Sequence, residues 1–252
     1  MSIYQQGSYA GRYDEEKFGG AFGRYLREQE VKTYLAWVPA DARTVLDVGA
    51  GTGKLALPLA ARGHAVTALD ASEAMLEVAR RQAEKRGIAL QTVVADAQAL
   101  PFEDQRFDWV VCSRLLMHLG DWERALAQLC RVASCGVVFD FQPRASFSGL
   151  HARYKQLKRR WNPDIQAFNA LPVGNVLRVV ERQGGTVVRT MRGFFLPLFL
   201  HRRLDQPQRS AQVERTCRRL GLTRGWGAPV IVQAIKGMGS LKAKDRGDCN
   251  GP

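Results

Sequence analysis

The sequence predicts an α/β fold built on a mostly parallel sheet with helices on both faces. From residue 43 to 141, short apolar runs alternate with amphipathic segments, as repeated β-α-β units require. The first run ends in three glycines at alternate positions, in VLDVGAGTGK at 45–54, a pattern typical of a strand that passes a ligand and enters a helix. With 252 residues, 46% of them hydrophobic, the chain can bury the core of a large domain.

Five strands and three helices are predicted in this region. Capping residues mark the helices: Ser72 and Asp121 are candidate N-caps, and Gly87 is a candidate stop. The helix after the glycine turn is predicted over Lys54–Ala61. The predicted strands are Arg43–Val48, Ala65–Leu69 followed by Asp70, Ala89–Val94, Asp108–Cys112 and Gly136–Phe141.

The flanking segments have a different period. A mostly helical lead, Glu15–Leu35, precedes the alternating region, and residues 237–252 lack apolar periodicity, which predicts a disordered tail. Between them we predict, in chain order, a basic helix Leu150–Trp161, a helix Val173–Arg182, a strand Thr186–Arg192, a helix Gln208–Leu220 and a strand Pro229–Ile235. The expected organisation is a lead over 1–42, a main domain over 43–236 with an inserted basic cap at 142–185, and the tail.

Charge divides the chain unevenly. Residues 1–141 carry 16 Lys/Arg against 18 Asp/Glu, whereas residues 142–252 carry 21 against 6. A basic half of this kind faces an anion, whether phosphate, lipid headgroup or nucleic acid, or is simply a solvated surface. Five scattered cysteines without a CxxC pair argue against a disulfide framework and a zinc knuckle, and no run of about 20 apolar residues is present. We therefore expect a cytoplasmic protein, with peripheral membrane contact as an open alternative.

The spacing of the glycine turn separates the possible ligands. A P-loop needs Ser or Thr after Gly-Lys, and Leu55 stands there instead. A dinucleotide fingerprint is GxGxxG, and here the third glycine arrives one residue early. Asp47, two residues before the first glycine, would repel a pyrophosphate but could accept an ammonium group.

Four motifs in order resemble the class I S-adenosylmethionine-dependent methyltransferases, most closely the small-molecule branch that includes the type 11, quinone-biosynthesis enzymes. They are DVGAGTG at 47–53, AVTALDAS at 65–72, VVADAQALPFEDQRFDWVV at 93–111 and LLMHLGDWERALAQLCRV at 115–132. The family's proline-glycine-glycine turn after the Arg-Val pair is replaced here by Ala133-Ser134-Cys135-Gly136. The resemblance implies a Rossmann-like sheet of seven strands, mostly parallel with the last strand antiparallel.

The resemblance also implies a site for S-adenosylmethionine. A carboxylate such as Asp70, at a strand's carboxyl end, suits a ribose diol, and Asp96 with the backbone of Ala97 would meet the adenine. His118 is a candidate base, and Arg114 could pair with the methionine carboxylate or an anionic acceptor. The cofactor-binding residues that we expect are Tyr13, Arg24, Asp47, Gly49, Ala50, Gly51, Gly53, Asp70, Ala71, Met75, Asp96, Ala97 and Arg114.

The acceptor is open at this point. The resemblance favours a small molecule, hydrophobic, lipid-like or anionic, that receives the methyl group by in-line transfer. The basic helix could cap the acceptor site or lie on an anionic membrane with Tyr154 and Trp161 as anchors. Methylation of RNA or protein, an NAD(P)-dependent short-chain oxidoreductase suggested by Tyr154-x-x-x-Lys158, and a non-catalytic S-adenosylmethionine-binding protein are the alternatives.

Overall fold

A computed structural model describes residues 19–237 apart from 163, 164, 166 and 167. Its centre is one seven-stranded sheet in the order β3-β2-β1-β4-β5-β7-β6, in which β7 runs antiparallel to both of its neighbours. The strands are β1 (Thr44–Val48), β2 (Ala65–Asp70), β3 (Gln91–Val94), β4 (Phe107–Cys112), β5 (Ala133–Phe141), β6 (Gly185–Phe194) and β7 (Ala228–Lys236). The predicted fold class is confirmed.

Nine helices surround this sheet in the described residues. Ser72 and Asp121 cap two of them as predicted, since their side chains accept the backbone N–H groups of Met75 and Arg124. The helices are α1 (Gly20–Trp37), α2 (Ala56–Ala60), α3 (Glu73–Glu84), α4 (Trp122–Val132), α5 (Phe147–Arg159), α6 (Val173–Arg182), α7 (Leu198–Leu204), α8 (Pro207–Arg219) and α9 (Leu222–Trp226), with a 3₁₀ turn at Leu116–His118.

Each face of the sheet is covered by its own hydrophobic cluster. On one face, α4 and α6 bury side chains such as Leu126, Leu129 and Val180. On the other face, α1, α2 and α3 contribute Tyr34, Leu59 and Leu76. Because both faces are covered, the central strands are apolar on both sides except for single acids such as Asp47 and Asp140, which is why the sequence shows them as mostly apolar runs.

Several elements differ from the prediction, among them α5, which begins at Phe147 and not at Leu150 and ends at Arg159 and not at Trp161. Strand β5 begins at Ala133, directly after α4 ends at Val132, and so starts three residues before the predicted Gly136. Two short helices, α7 and α9, occupy segments for which no helix was predicted, because stretches of seven and five residues are too short to show a helical period. The predicted tail lies outside the described residues except for Gly237.

Candidate functional site

The glycine turn connects β1 to α2 at the carboxyl edge of the sheet. Gly49, Gly51 and Gly53 have φ angles of +73°, +54° and +84°, a backbone region that other residues rarely adopt. The backbone N–H groups of Gly49 and Ala50 both donate to the Leu69 carbonyl, at 2.8 and 3.0 Å, which ties the turn to the end of β2. A side chain at Gly51 would project into open space, so this glycine leaves room for a ligand above the turn.

Asp70 closes the turn from the end of β2. Its carboxylate accepts the backbone N–H groups of Gly51 and Ser72, each at 2.9 Å. Burial raises the pKa of this carboxyl above its ordinary value, although those N–H donors oppose the shift. The backbone N–H of Ala71 also donates to the carboxylate, so three of its roughly four acceptor positions are used and capacity remains for a ribose hydroxyl.

Asp47 lies beneath the turn, with only 2% of its surface exposed. Its carboxyl accepts the backbone N–H of Ala56, but Oδ2 has no hydrogen-bond partner among the described residues. Burial raises the pKa of Asp47 to about 7, with the charge on Lys54 acting in the opposite direction. A cationic ligand near the turn would supply a partner that the chain leaves out.

The predicted adenine contacts lie at the ends of β2 and β3. Met75 and Ala97 are buried, whereas Ala71 and Asp96 are exposed. The Asp96 carboxylate accepts the backbone N–H of Gln98 at 2.9 Å, which fixes this side chain in a turn. The arrangement places an acceptor and an apolar surface together at one side of the glycine turn.

A buried ionic cluster, which the sequence analysis did not predict, adjoins the turn. Glu30 of α1 is 7% exposed, and its carboxylate contacts Lys54 Nζ at 2.9 Å and Arg114 Nη1 at 3.4 Å. Burial alone would raise the pKa of Glu30, but the two cations hold it below its ordinary value. A signal was present, since Glu30 is the one acid in the apolar stripe Phe22, Leu26, Glu30, Tyr34 at helical spacing.

Asp140 connects this cluster to β4 and β5. One of its oxygens accepts the Arg114 backbone N–H at 2.5 Å and the Tyr34 hydroxyl at 3.1 Å. These bonds hold Arg114 at φ +59°, a left-handed conformation that is uncommon outside glycine and often marks a functional position. Burial raises the pKa of Asp140, and the charge on Glu30 raises it further.

Two other predicted residues are not brought into this cluster, and the position of a third is not described. His118 is exposed on the 3₁₀ turn that follows β4, so a role as base remains a prediction. Arg24 is exposed on α1, on the side of Asp205. Tyr13 lies outside the described residues.

Comparisons with known proteins agree with this geometry. Residues 45–136, from β1 into β5, match the model of the methyltransferase domain. A demethylmenaquinone methyltransferase of Thermus thermophilus is 41% identical over 139 residues, which are 53% of this chain and 63% of that protein. Residues 45–136 of the chain are thus similar to a methyltransferase domain.

Two further similarities concern a second relative and a solved structure. A malonyl-[acyl-carrier protein] O-methyltransferase of Erwinia pyrifoliae is 33% identical over 162 residues, which are 64% of this chain and 57% of that protein. The chain thus spans about six tenths of the length of these curated relatives. The magnesium protoporphyrin IX methyltransferase of Synechocystis, solved with bound SAH, has the same fold, with a TM-score of 0.61, 19% identity and 86% of each chain covered.

The residues present fit S-adenosylmethionine, the cofactor that the similarity to methyltransferases implies. Among the described residues, Oδ2 of Asp47 has no hydrogen-bond partner, as expected beside a ligand that carries an ammonium group. Space is open above Gly51, and the Asp70 carboxylate borders it. Lys54 and Arg114 are the cations near the turn that could face a carboxylate, although both contact Glu30 here.

Proposed function

We propose that the protein is an S-adenosylmethionine-dependent methyltransferase that acts on a small, largely apolar acceptor. The observation that carries the proposal is the buried, unpartnered oxygen of Asp47 beneath a glycine turn whose open side is bordered by Asp70. A buried carboxyl of this kind costs free energy unless a cation or a proton joins it. An amino-acid sulfonium supplies that cation, whereas a pyrophosphate would add like charge.

The chain's own residues would position the reactants. When bound, S-adenosylmethionine would supply the methyl group of its sulfonium to the acceptor by in-line displacement, with the neutral thioether as the leaving group. Asp70 would accept the ribose hydroxyls, Asp47 would face the ammonium group, and Arg114 would lie where the methionine carboxylate enters. Helix α1 covers this edge through the contacts of Glu30 and Tyr34, which would keep water from the reacting atoms. Alignment of this kind can supply most of the rate without a base.

The class of acceptor follows from the relatives. Of those named above, one is named for demethylmenaquinone, an apolar quinone, and the other for a malonyl group on acyl-carrier protein. We therefore propose an apolar or lipid-like small molecule rather than RNA. Incubation with S-adenosylmethionine labelled in the methyl group and a fractionated cell extract should transfer label to the lipid or small-molecule fraction. Label confined to RNA would contradict the proposal, and so would label on protein that neutral hydroxylamine, which cleaves thioesters, does not release.

A second proposal concerns helix α5, which presents its large apolar side chains to solvent. Leu150, Tyr154 and Leu157 of this helix are 51%, 52% and 49% exposed, and Trp161, two residues after its end, is 76% exposed; these four residues form the α5 stripe. The helix packs on the protein through the small residues Gly149 and Ala152 instead. This orientation is the reverse of a cap that buries its apolar face.

The surroundings of the α5 stripe suit an anionic membrane. Phe147, one turn earlier on the same face, contacts the ring of Trp226, with the centroids 5.5 Å apart, and Trp226 is itself 46% exposed. Exposed cations flank the stripe at Arg153, Lys158, Arg159 and Arg160. Apolar anchors surrounded by Lys and Arg are typical of helices that lie in a bilayer interface. None of the described helices is long and apolar enough to cross a membrane.

Vesicle flotation tests the membrane proposal. The protein should float with phosphatidylcholine vesicles that contain phosphatidylglycerol, and less with phosphatidylcholine alone. Leu157→Ser with Trp161→Ser, and separately Lys155, Lys158, Arg159 and Arg160→Gln, should each abolish flotation. A matched control is Val94→Ser with Val188→Ser, which removes two exposed apolar side chains from strands β3 and β6. Flotation that survives in both stripe variants would contradict the proposal.

A further inference from the structure

A cavity of about 660 Å³ lies between α1, α8 and the adjoining ends of β6 and β7. Its volume falls in the range of small-molecule sites, roughly 300–1,000 Å³. The sequence does not predict this cavity. None of the cofactor-binding residues expected from the sequence lines it. It is formed where α8, which is part of the segment between β6 and β7, faces the buried side of α1.

The floor of the cavity is apolar. Leu26 of α1, Met191 of β6, and Pro229 and Ile231 of β7 line it together. Leu26 and Ile231 are 2% and 3% exposed, so they form a fixed surface at the sheet. Such a floor removes water from the apolar body of a ligand, at a gain of about 25 cal/mol per Å² that is buried.

The cavity also carries uncompensated positive charge. Two carboxylates line it, but Glu30 is bound by Lys54 and Arg114, and Glu214 by His201 and the backbone N–H groups of Phe195 and Leu196. Arg215 and Arg218 of α8 also line it. In the described part of the chain, neither guanidinium forms an ion pair. An anionic group is therefore the complement of this wall.

Glu30 joins the cavity to the candidate cofactor site. The side chain lines the cavity, and its carboxylate contacts Lys54 beside the glycine turn and Arg114 after β4. A ligand in the cavity is thus one side chain away from the residues expected to hold the methionine part of the cofactor. This position suits the second reactant.

We infer that this cavity binds the methyl acceptor and that the acceptor carries an apolar body with an anionic group. The inference rests on the proposed methyltransferase function. The apolar part of the acceptor would lie on Leu26, Met191 and Ile231, and its anionic group would contact Arg215 and Arg218. Malonyl thioesters and other carboxylated or phosphorylated apolar molecules belong to this chemical class.

Binding of 8-anilinonaphthalene-1-sulfonate, an apolar anionic fluorophore, tests the inference. Ala211 lines the cavity, whereas Val213 on the same helix is 40% exposed and does not. Ala211→Trp should fill the space and weaken binding of the fluorophore by about tenfold or more, while Val213→Trp should change it by less than about twofold. Equal affinity in the two variants would overturn the inference.

A charge variant keeps the test valid if Ala211→Trp fails to fold. Arg215→Gln with Arg218→Gln should weaken binding by roughly fivefold and reduce its salt dependence. Arg209→Gln with Arg219→Gln removes the same charge from exposed positions of α8 that do not line the cavity, and should have little effect. If the two double variants bind the fluorophore with the same affinity, the cavity arginines do not bind the anion.

The role as acceptor site needs a separate measurement. Ala211→Trp should still bind S-adenosylmethionine in calorimetry but lose transfer of labelled methyl to the extract, which Val213→Trp should keep. If the unaltered protein does not bind S-adenosylmethionine, the proposed function fails. If it does and Ala211→Trp transfers methyl normally, only the assignment of this cavity fails.

Discussion

At the scale of single residues, the candidate site has more buried carboxyl groups than cationic side chains. Burial raises the pKa of Asp47, Asp70 and Asp140, which all approach the carboxyl edge of the sheet. Lys54 and Arg114 are near, but the Glu30 carboxylate already contacts both. Carboxyls in this state are stabilised by a cationic ligand and destabilised by an anionic one. This balance favours a sulfonium amino acid over a dinucleotide.

Asp47 predicts a pH dependence of cofactor binding. If the ammonium group of S-adenosylmethionine pairs with the ionised carboxylate, binding must release the proton that Asp47 holds below its pKa of about 7. The affinity should rise about tenfold per pH unit up to that pH and then level off. Calorimetry at pH 6 in two buffers with different ionisation enthalpies would measure the released proton.

Asp47→Asn is the matched control, because it removes the ionisable carboxyl and keeps the size and shape of the side chain. Its affinity should be low and nearly independent of pH. The folded-state pKa of Asp47 lies above its ordinary value of 3.8, so the protonated carboxyl favours the folded state. This stabilisation is complete below about pH 4 and is lost as pH rises to about 7. Without ligand, Asp47→Asn should therefore gain stability relative to the unaltered protein over this range. A constant difference would contradict the raised pKa.

Glu30 predicts a loss of stability when its charge is removed. Glu30→Gln removes the carboxylate that contacts Lys54 and Arg114, whose side chains are 11% and 21% exposed. The free energy of unfolding should fall by about 3 kcal/mol, the typical cost of breaking a buried pair. Glu28→Gln, on the exposed face of the same helix, should change it by less than about 0.5 kcal/mol. Equal urea denaturation curves for the two variants would contradict the role of Glu30.

At the scale of elements, β5 is fixed by close contact at one glycine. A Cβ at Gly136 would lie 2.7 Å from the Ala234 carbonyl oxygen of β7 and 2.7 Å from the Trp109 ring of β4. The strand therefore lies against both neighbours at a position that accepts only glycine without movement.

Gly136→Ala should therefore destabilise the fold. We expect a loss of roughly 1–3 kcal/mol, as for other overpacked core positions. Gly174→Ala makes the same change in α6, where nothing lies within 4 Å, and should be neutral or stabilising by up to about 1 kcal/mol. Thermal unfolding would measure both, and a Gly136→Ala variant as stable as Gly174→Ala would contradict the packing argument.

The elements also show what the sequence could predict. Residues 43–141 have strong periodicity and capping residues such as Ser72, so their strands and helices were predicted close to their observed bounds. α7 and α9 have too few residues for a period, and the contacts of Glu30 depend on where α1 packs. The exposure of the α5 stripe could not be predicted either, because an amphipathic pattern is the same whether its apolar face meets protein or solvent.

At the scale of the molecule, the uneven charge corresponds to a division of the sheet. The near-neutral part supplies β1 to β5 and every predicted cofactor residue. The basic part supplies α5, the inferred acceptor cavity on α8, and β6. We therefore expect the first part to hold the methyl donor and the second to meet the acceptor and an anionic surface.

Titration calorimetry with S-adenosylmethionine tests the central claim most directly. The unaltered protein should bind it at one site and give no heat with NAD. Asp70→Ala should weaken binding by about 10- to 100-fold, since it removes charged acceptors of the ribose hydroxyls. Binding of NAD without binding of S-adenosylmethionine would contradict the account, and unchanged affinity in Asp70→Ala would show that the ribose lies elsewhere.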